Sequence, residues 1–142
     1  MRLIFSQNRE VSGMIRGIGL DLCEIHRIEK VIARAHFLDR VFTPAERARI
    51  LSATGPRRGE IAAGLFAAKE AVAKALGTGF TGFFADAIEI TPDDAGRPVC
   101  ALSGGALKRA SALTAGAPFR VWVSVTHEGG FAAAQAIIES LE

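Results

Sequence analysis

Two acidic residues interrupt an otherwise apolar stretch near the start of the chain: Asp21 and Glu24 in GIGLDLCEI. A carboxylate inside an apolar strand is unfavourable unless it is paired or holds a cation. Further on, FAAKEAVAKALGTGF carries Glu70 and Lys74, four apart and so neighbours on one helical face, with Lys69 directed elsewhere. In isolation that pair reads as an exposed ion pair of small energetic weight. Here the surrounding alanines imply close packing on several sides, where charge needs a purpose. Mg²⁺ takes oxygen ligands, often one or two carboxylates completed by substrate phosphates and water. Asp21 and Glu70 suit that task, and Lys74 would add a point charge for a phosphate on the same ion. These residue types point to Mg²⁺-dependent phosphoryl-type chemistry.

His127, with Thr126 beside it in SVTHEGG, sits at a strand end next to a turn, where ligands commonly meet a rigid scaffold. A lone histidine is more often structural, and His26 and His36 read as surface or contact residues. The Gly-Thr-Gly after the alanine-rich run reads first as a helix C-cap at Gly77 and only second as a phosphate cradle.

The elements that must position these residues follow from periodicity and caps. MIRGIGLDLCEI, from Met14, predicts a strand, and HRIEKVIARA and FTPAERARIL predict two short helices. The second has Thr43 as N-cap, Pro44 at the first helical position and Glu46 completing a capping box. RGEIAAGLFAAKEAVAKALG predicts the long central helix, with Ile61, Leu65, Ala68, Val72 and Leu76 on one stripe. Strands on either side of PDDAGRP predict a hairpin. Ser103 is expected to cap a helix over GGALKRASALTA, and a second hairpin turns at Glu-Gly-Gly. Strand, helices, then two hairpins with a helix between them imply an α+β fold with a mainly antiparallel sheet.

The 142 residues, 49% hydrophobic and 23% charged, fit one globular domain. Residues 1–13 read poorly as structure and are set apart as an N-terminal extension or tail. No apolar run reaches the length of a membrane helix, and no secretory signal is evident, so a cytoplasmic protein is expected. Cys23 and Cys100 lack metal-type spacing and are expected as small buried hydrophobes, in neither a disulfide nor a zinc site. Net charge is only +2, yet eight basic residues stand against three acidic ones between His26 and Arg58. That polarity suits an anionic partner, and a solvated helical face explains it equally well.

GIGLDLCEIHRI, FLDRVFTPAE, GLFAAKEAVAKALGTGF, IEITPDDAGRP and VSVTHEGGFAAAQAII follow in one order. That order and spacing closely resemble the 4'-phosphopantetheinyl transferase superfamily, in its small bacterial trimeric type, the holo-(acyl-carrier-protein) synthases. The resemblance runs from about Met14 to Ile138 and implies the phosphopantetheinyl transferase fold as one domain over residues 14–142. The reaction implied moves the 4'-phosphopantetheine arm of coenzyme A to a serine of apo acyl carrier protein, releasing adenosine 3',5'-bisphosphate. A homotrimer with active sites shared between adjacent protomers is implied as well, with neither nucleic acid nor membrane as partner.

Carried over residue by residue, the resemblance implies Asp21 and Glu70 as Mg²⁺ ligands and Lys74 at the pyrophosphate. His127 with Thr126 is implied near the coenzyme A phosphates, and Gly96, Arg97 and Pro98 close to the adenine nucleotide. Asp21, Glu70, Lys74 and His127 form the implied catalytic set. Arg27, Phe37 and Arg40 match positions that dock the acidic carrier, which gives the basic region a partner. The serine proton has Glu70, Asp21 or a metal-bound water as candidate acceptors. Glu24 reads as support behind the metal ligands or, equally, as a strand-end surface carboxylate. Two positions depart from the family pattern: Leu65 stands where arginine is common, and His36 where a basic residue is frequent. A nucleic-acid-binding module using residues 26–58 and a non-catalytic trimeric scaffold are the rival readings. The first lacks the interleaved surface aromatics of RNA-binding sheets, and the second gives the four site residues no work.

Overall fold

A computed structural model describes residues 13–141. Strand β1 (Gly13–Glu24) leads through three short helices, α1 (Ile25–Ile32), α2 (Ala35–Val41) and α3 (Pro44–Ser52), into the long helix α4 (Pro56–Ala75). A 3-10 turn (Ala85–Ala87) precedes the hairpin of β2 (Ile88–Pro92) and β3 (Pro98–Leu102). Helix α5 (Gly104–Leu113) then connects to the second hairpin, β4 (Phe119–Glu128) and β5 (Phe131–Leu141). β1, β5 and β4 form an antiparallel sheet in that order, while β2 and β3 pair separately. This is the expected α+β arrangement. The expected N-terminal extension lies outside the described residues apart from Gly13, which opens β1.

Helix α4 lies at the centre because its side chains are small. Twelve of its twenty residues are buried, most of them alanine or glycine. Strand β1 meets it backbone to backbone: a Cβ on Gly17 would stand 1.9 Å from the Ala75 carbonyl oxygen, and one on Gly19 would stand 1.8 Å from that of Ala71. Only glycine allows so close an approach. Strand alternation then places Asp21, two residues beyond Gly19, on the same helix-facing side. The opposite side leaves Ile18, Leu20 and Leu22 exposed at 68%, 68% and 65%.

The capping box at Thr43 and Glu46 forms as expected, and Pro44 occupies the first helical turn. Gly77 adopts φ +82° past the end of α4, as its C-cap reading requires. Other expectations need correction. The segment between the two predicted short helices forms α2 of its own, without a side-chain cap to announce it. Ser103 precedes α5 but its side chain makes no cap bond; its hydroxyl turns to the Ala87 carbonyl at 3.5 Å. Both cysteines are free and half-buried.

Lys69, off the face of Glu70 and Lys74 as its spacing requires, points into the core. Its ammonium meets the Glu46 carboxylate at 2.7 Å with both side chains fully buried. Lys69 donates further to the carbonyls of Ala85, at 3.0 Å, and Ile88, while Glu46 accepts from the Ile90 amide at 2.9 Å. Burial pulls the Lys69 pKa below its ordinary value, and Glu46 opposes that pull. This pair ties α3, α4 and β2 together at the depth of the core. Among the described residues no helix is long and apolar enough to cross a membrane.

Candidate active site

Asp21 projects from β1 towards the C-terminal half of α4, where Lys74 reaches back across the contact. The Lys74 Nζ donates to Asp21 Oδ1 at 3.1 Å and to the Leu20 carbonyl at 2.9 Å. The pairing is thus between strand and helix; among the described residues Lys74 makes no direct ion pair with Glu70. Glu70 lies within electrostatic range of the same group. Burial, and then the negative charge of Asp21, push its carboxyl above the ordinary range, while Lys74 and Arg27 pull it down. Cys23 sits beside this cluster, its thiol donating to the Ala63 carbonyl at 3.3 Å. Burial and then Asp21 raise its pKa to about 11, which leaves it a protonated packing group.

Two repelling carboxylates in a half-buried setting, with the nearby lysine already engaged by one of them, make an arrangement that a divalent cation would relieve. The donor set fits Mg²⁺, which needs few protein ligands when water and phosphate oxygens supply the rest. Among the described residues no group of three or more His, Cys, Asp or Glu side chains is placed to hold a metal ion. Glu24 does not join the pair. Alternation along β1 turns it away from Asp21, and it lines a separate cavity with His26, Glu60 and Glu128.

His127 lies at the other end of α4. Its Nε2 stands 3.9 Å from Glu60 Oε2, and it shares a cavity of about 220 Å³ with Gly96, Pro98 and Leu65. Arg97 does not share that cavity. Its side chain donates to Asp93 Oδ2 at 3.1 Å and lines a neighbouring groove with Trp122. Thr126, adjacent to His127 on β4, falls on the opposite face of the sheet by alternation. The implied site residues therefore form two clusters, Asp21 with Glu70 and Lys74, and His127 with Gly96 and Pro98. Arg27 is exposed on α1 and influences Glu70, whereas Phe37 packs inward against Phe42 and Phe66 at 6.2 and 6.1 Å between ring centroids. Arg40 on α2 meets His36 Nε2 at 3.3 Å. Sequence reading missed Glu60, Arg49 and Arg57 as neighbours of His127. Their charged types alone carried no signal, because the cavity is assembled from five separate elements, α3, α4, β2, β3 and β4.

Residues 17–134 match the family model of the 4'-phosphopantetheinyl transferase superfamily, and the chain belongs to that superfamily. Within it, the chain is 48% identical to the holo-(acyl-carrier-protein) synthase of Solidesulfovibrio magneticus, over 89% of this chain and 99% of that protein. It is 46% identical to the synthase of Granulibacter bethesdensis, over 90% and 91% of the two. Among solved structures, the synthase of Bacillus anthracis in complex with CoA (3',5'-ADP) superposes with a TM-score of 0.74 at 38% identity, covering 89% of this chain and 98% of that one. The Helicobacter pylori synthase in complex with coenzyme A gives 0.71 at 29% identity, covering 85% and 98%.

Proposed function

We propose that this chain is a holo-(acyl-carrier-protein) synthase that transfers 4'-phosphopantetheine from coenzyme A to a serine of apo acyl carrier protein in the cytoplasm, leaving adenosine 3',5'-bisphosphate. The observation that carries the reading is the meeting of Asp21, Glu70 and Lys74 between β1 and α4 in a member of this superfamily. Asp21 and Glu70 would hold Mg²⁺, which when bound supplies charge stabilisation at the pyrophosphate oxygens. Lys74 places an ammonium at the same edge and neutralises charge on the departing bisphosphate. The serine proton passes to Glu70, to Asp21 or to a water held beside them.

His127, with Gly96 and Pro98, belongs to the nucleotide end of the coenzyme; Arg97 borders that end from the neighbouring groove, while Thr126, on the opposite sheet face, does not line the same cavity. The two clusters lie towards different ends of α4: Glu60, beside His127, and Glu70, beside Asp21, are ten residues apart, about 15 Å along its axis. In the shared site of this reading, the carboxylate pair of one protomer works with His127 of another. The exposed apolar row of Ile18, Leu20 and Leu22 supports association of that kind, as a homotrimer. Arg27 and Arg40 receive the acidic carrier, with Phe37 anchoring α2 against Phe42 and Phe66.

The test is incubation with coenzyme A, Mg²⁺ and apo acyl carrier protein, read by mass spectrometry as the gain of one phosphopantetheine. Glu70→Gln should fold normally and lose orders of magnitude in transfer. No gain with any carrier sinks the enzyme reading, and full Mg²⁺-dependent turnover by the variant removes Glu70 from the site.

A further inference from the structure

The cavity that gathers Gly96, Pro98 and His127 has three formally charged side chains on its wall besides the histidine: Arg49 from α3, and Arg57 and Glu60 from the start of α4. Arg57 and Glu60 face each other across 3.8 Å and largely offset one another. Glu60 also turns towards His127. Arg49 therefore decides the sign of the cavity. Its guanidinium has no ion pair or hydrogen-bond acceptor among the described residues. Nearby arginines are committed: Arg47 donates to the Phe42 carbonyl at 2.6 Å, and Arg58 to that of Ala53 at 3.0 Å.

The wall opposite is apolar where α4 passes, with Leu65 only 3% exposed. No cation reaches the cavity from that turn of the helix. A guanidinium offers planar, paired N–H donors that match phosphate oxygens. Under the function proposed above, on which this step rests, Lys74 and the carboxylate pair take the pyrophosphate. The ribose 3'-phosphate is then the anionic group left for the nucleotide end, where His127 and Arg49 line one cavity.

We infer that Arg49 receives the ribose 3'-phosphate and so sets the preference for coenzyme A over its 3'-dephospho form. Arg49 does the work that a cation at position 65 would otherwise do, from a different helix across the same cavity. Being exposed, it is a specificity-determining residue whose removal should leave the fold intact.

The experiment compares the wild-type protein with Arg49→Ala and Arg49→Lys, measuring KM for coenzyme A and for 3'-dephospho-coenzyme A, with thermal melting as the control for folding. Arg49→Ala should raise KM for coenzyme A about tenfold and leave that for the dephospho form unmoved, as expected for loss of one charge-assisted contact. Arg49→Lys should recover part of the difference. An equal rise for both donors, or no rise for coenzyme A, overturns the inference while the enzyme reading stands. A wild-type protein that transfers from neither donor overturns the reading beneath it.

Discussion

Gly19→Ala probes whether the backbone contact between β1 and α4 sets the spacing of the carboxylate cluster. The added Cβ would stand 1.8 Å from the Ala71 carbonyl oxygen and 2.8 Å from the Ala75 amide nitrogen. Both are backbone atoms of a buried helix, so no side chain can swing aside. To regain a contact of 3.4 Å, strand and helix must part by about 1.5 Å. Lys74 and Glu70 ride on the helix and Asp21 on the strand, so the 3.1 Å bond between Lys74 and Asp21 opens beyond hydrogen-bonding range. Overpacking of this kind costs about 1–3 kcal/mol, equivalent to a loss of roughly 3–10 °C in melting temperature for a chain of this size. Misplacing reacting groups by about 1 Å can cost on the order of a hundredfold in rate. Thermal melting and mass-spectrometric transfer assays should show both losses together. A variant with wild-type melting and turnover would refute the idea that this contact fixes the site; a lower melting temperature with undiminished turnover would confine its role to packing.

Lys69→Met leaves the Glu46 carboxylate buried without its cation and should cost about 3–5 kcal/mol in urea unfolding. The double variant Glu46→Gln, Lys69→Met should be more stable than Lys69→Met alone, and a double variant less stable than the single would dismiss the unpaired-charge explanation. Arg27→Glu should raise the apparent KM for carrier protein on the order of tenfold and that for coenzyme A far less, with the difference shrinking as salt is added. Equal effects on the two substrates would count against carrier docking at α1. Burial pushes the Cys100 thiol from 9.0 up to about 12. Peptide-mapped alkylation at pH 8 should therefore run roughly three orders of magnitude slower in the folded than in the urea-unfolded protein, and equal rates would contradict it. Because the folded pKa is the higher one, this thiol's contribution to stability is complete below pH 9.0 and is lost as pH rises towards about 12.

The capping box at Thr43, the length of α4, the turn at Gly77 and both hairpins were legible because each depends on residues within a few positions of one another. Helix α2 was not, since neither a side-chain cap nor a clear apolar stripe marks it. The partner of Lys69 was hidden for a related reason. Helical spacing places Lys69 off the face shared by Glu70 and Lys74, but only the fold brings Glu46 from α3 to meet it.

The residue types of the candidate site were likewise written in the chain: Asp21 in an apolar strand, Glu70 and Lys74 one helical turn apart, and His127 at a strand end. So were the glycines that let β1 lie against α4, although their purpose was not. Which charges meet was a tertiary decision. Lys74 engages Asp21 in preference to its helical neighbour, His127 sits at the far end of α4 beside Glu60, and Arg49, unpaired among the described residues, lines the cavity to which Leu65 brings no charge. Local pattern determines the faces that residues present; ion pairs and cavities depend on the relative placement of elements, which close packing sets only once the chain is folded.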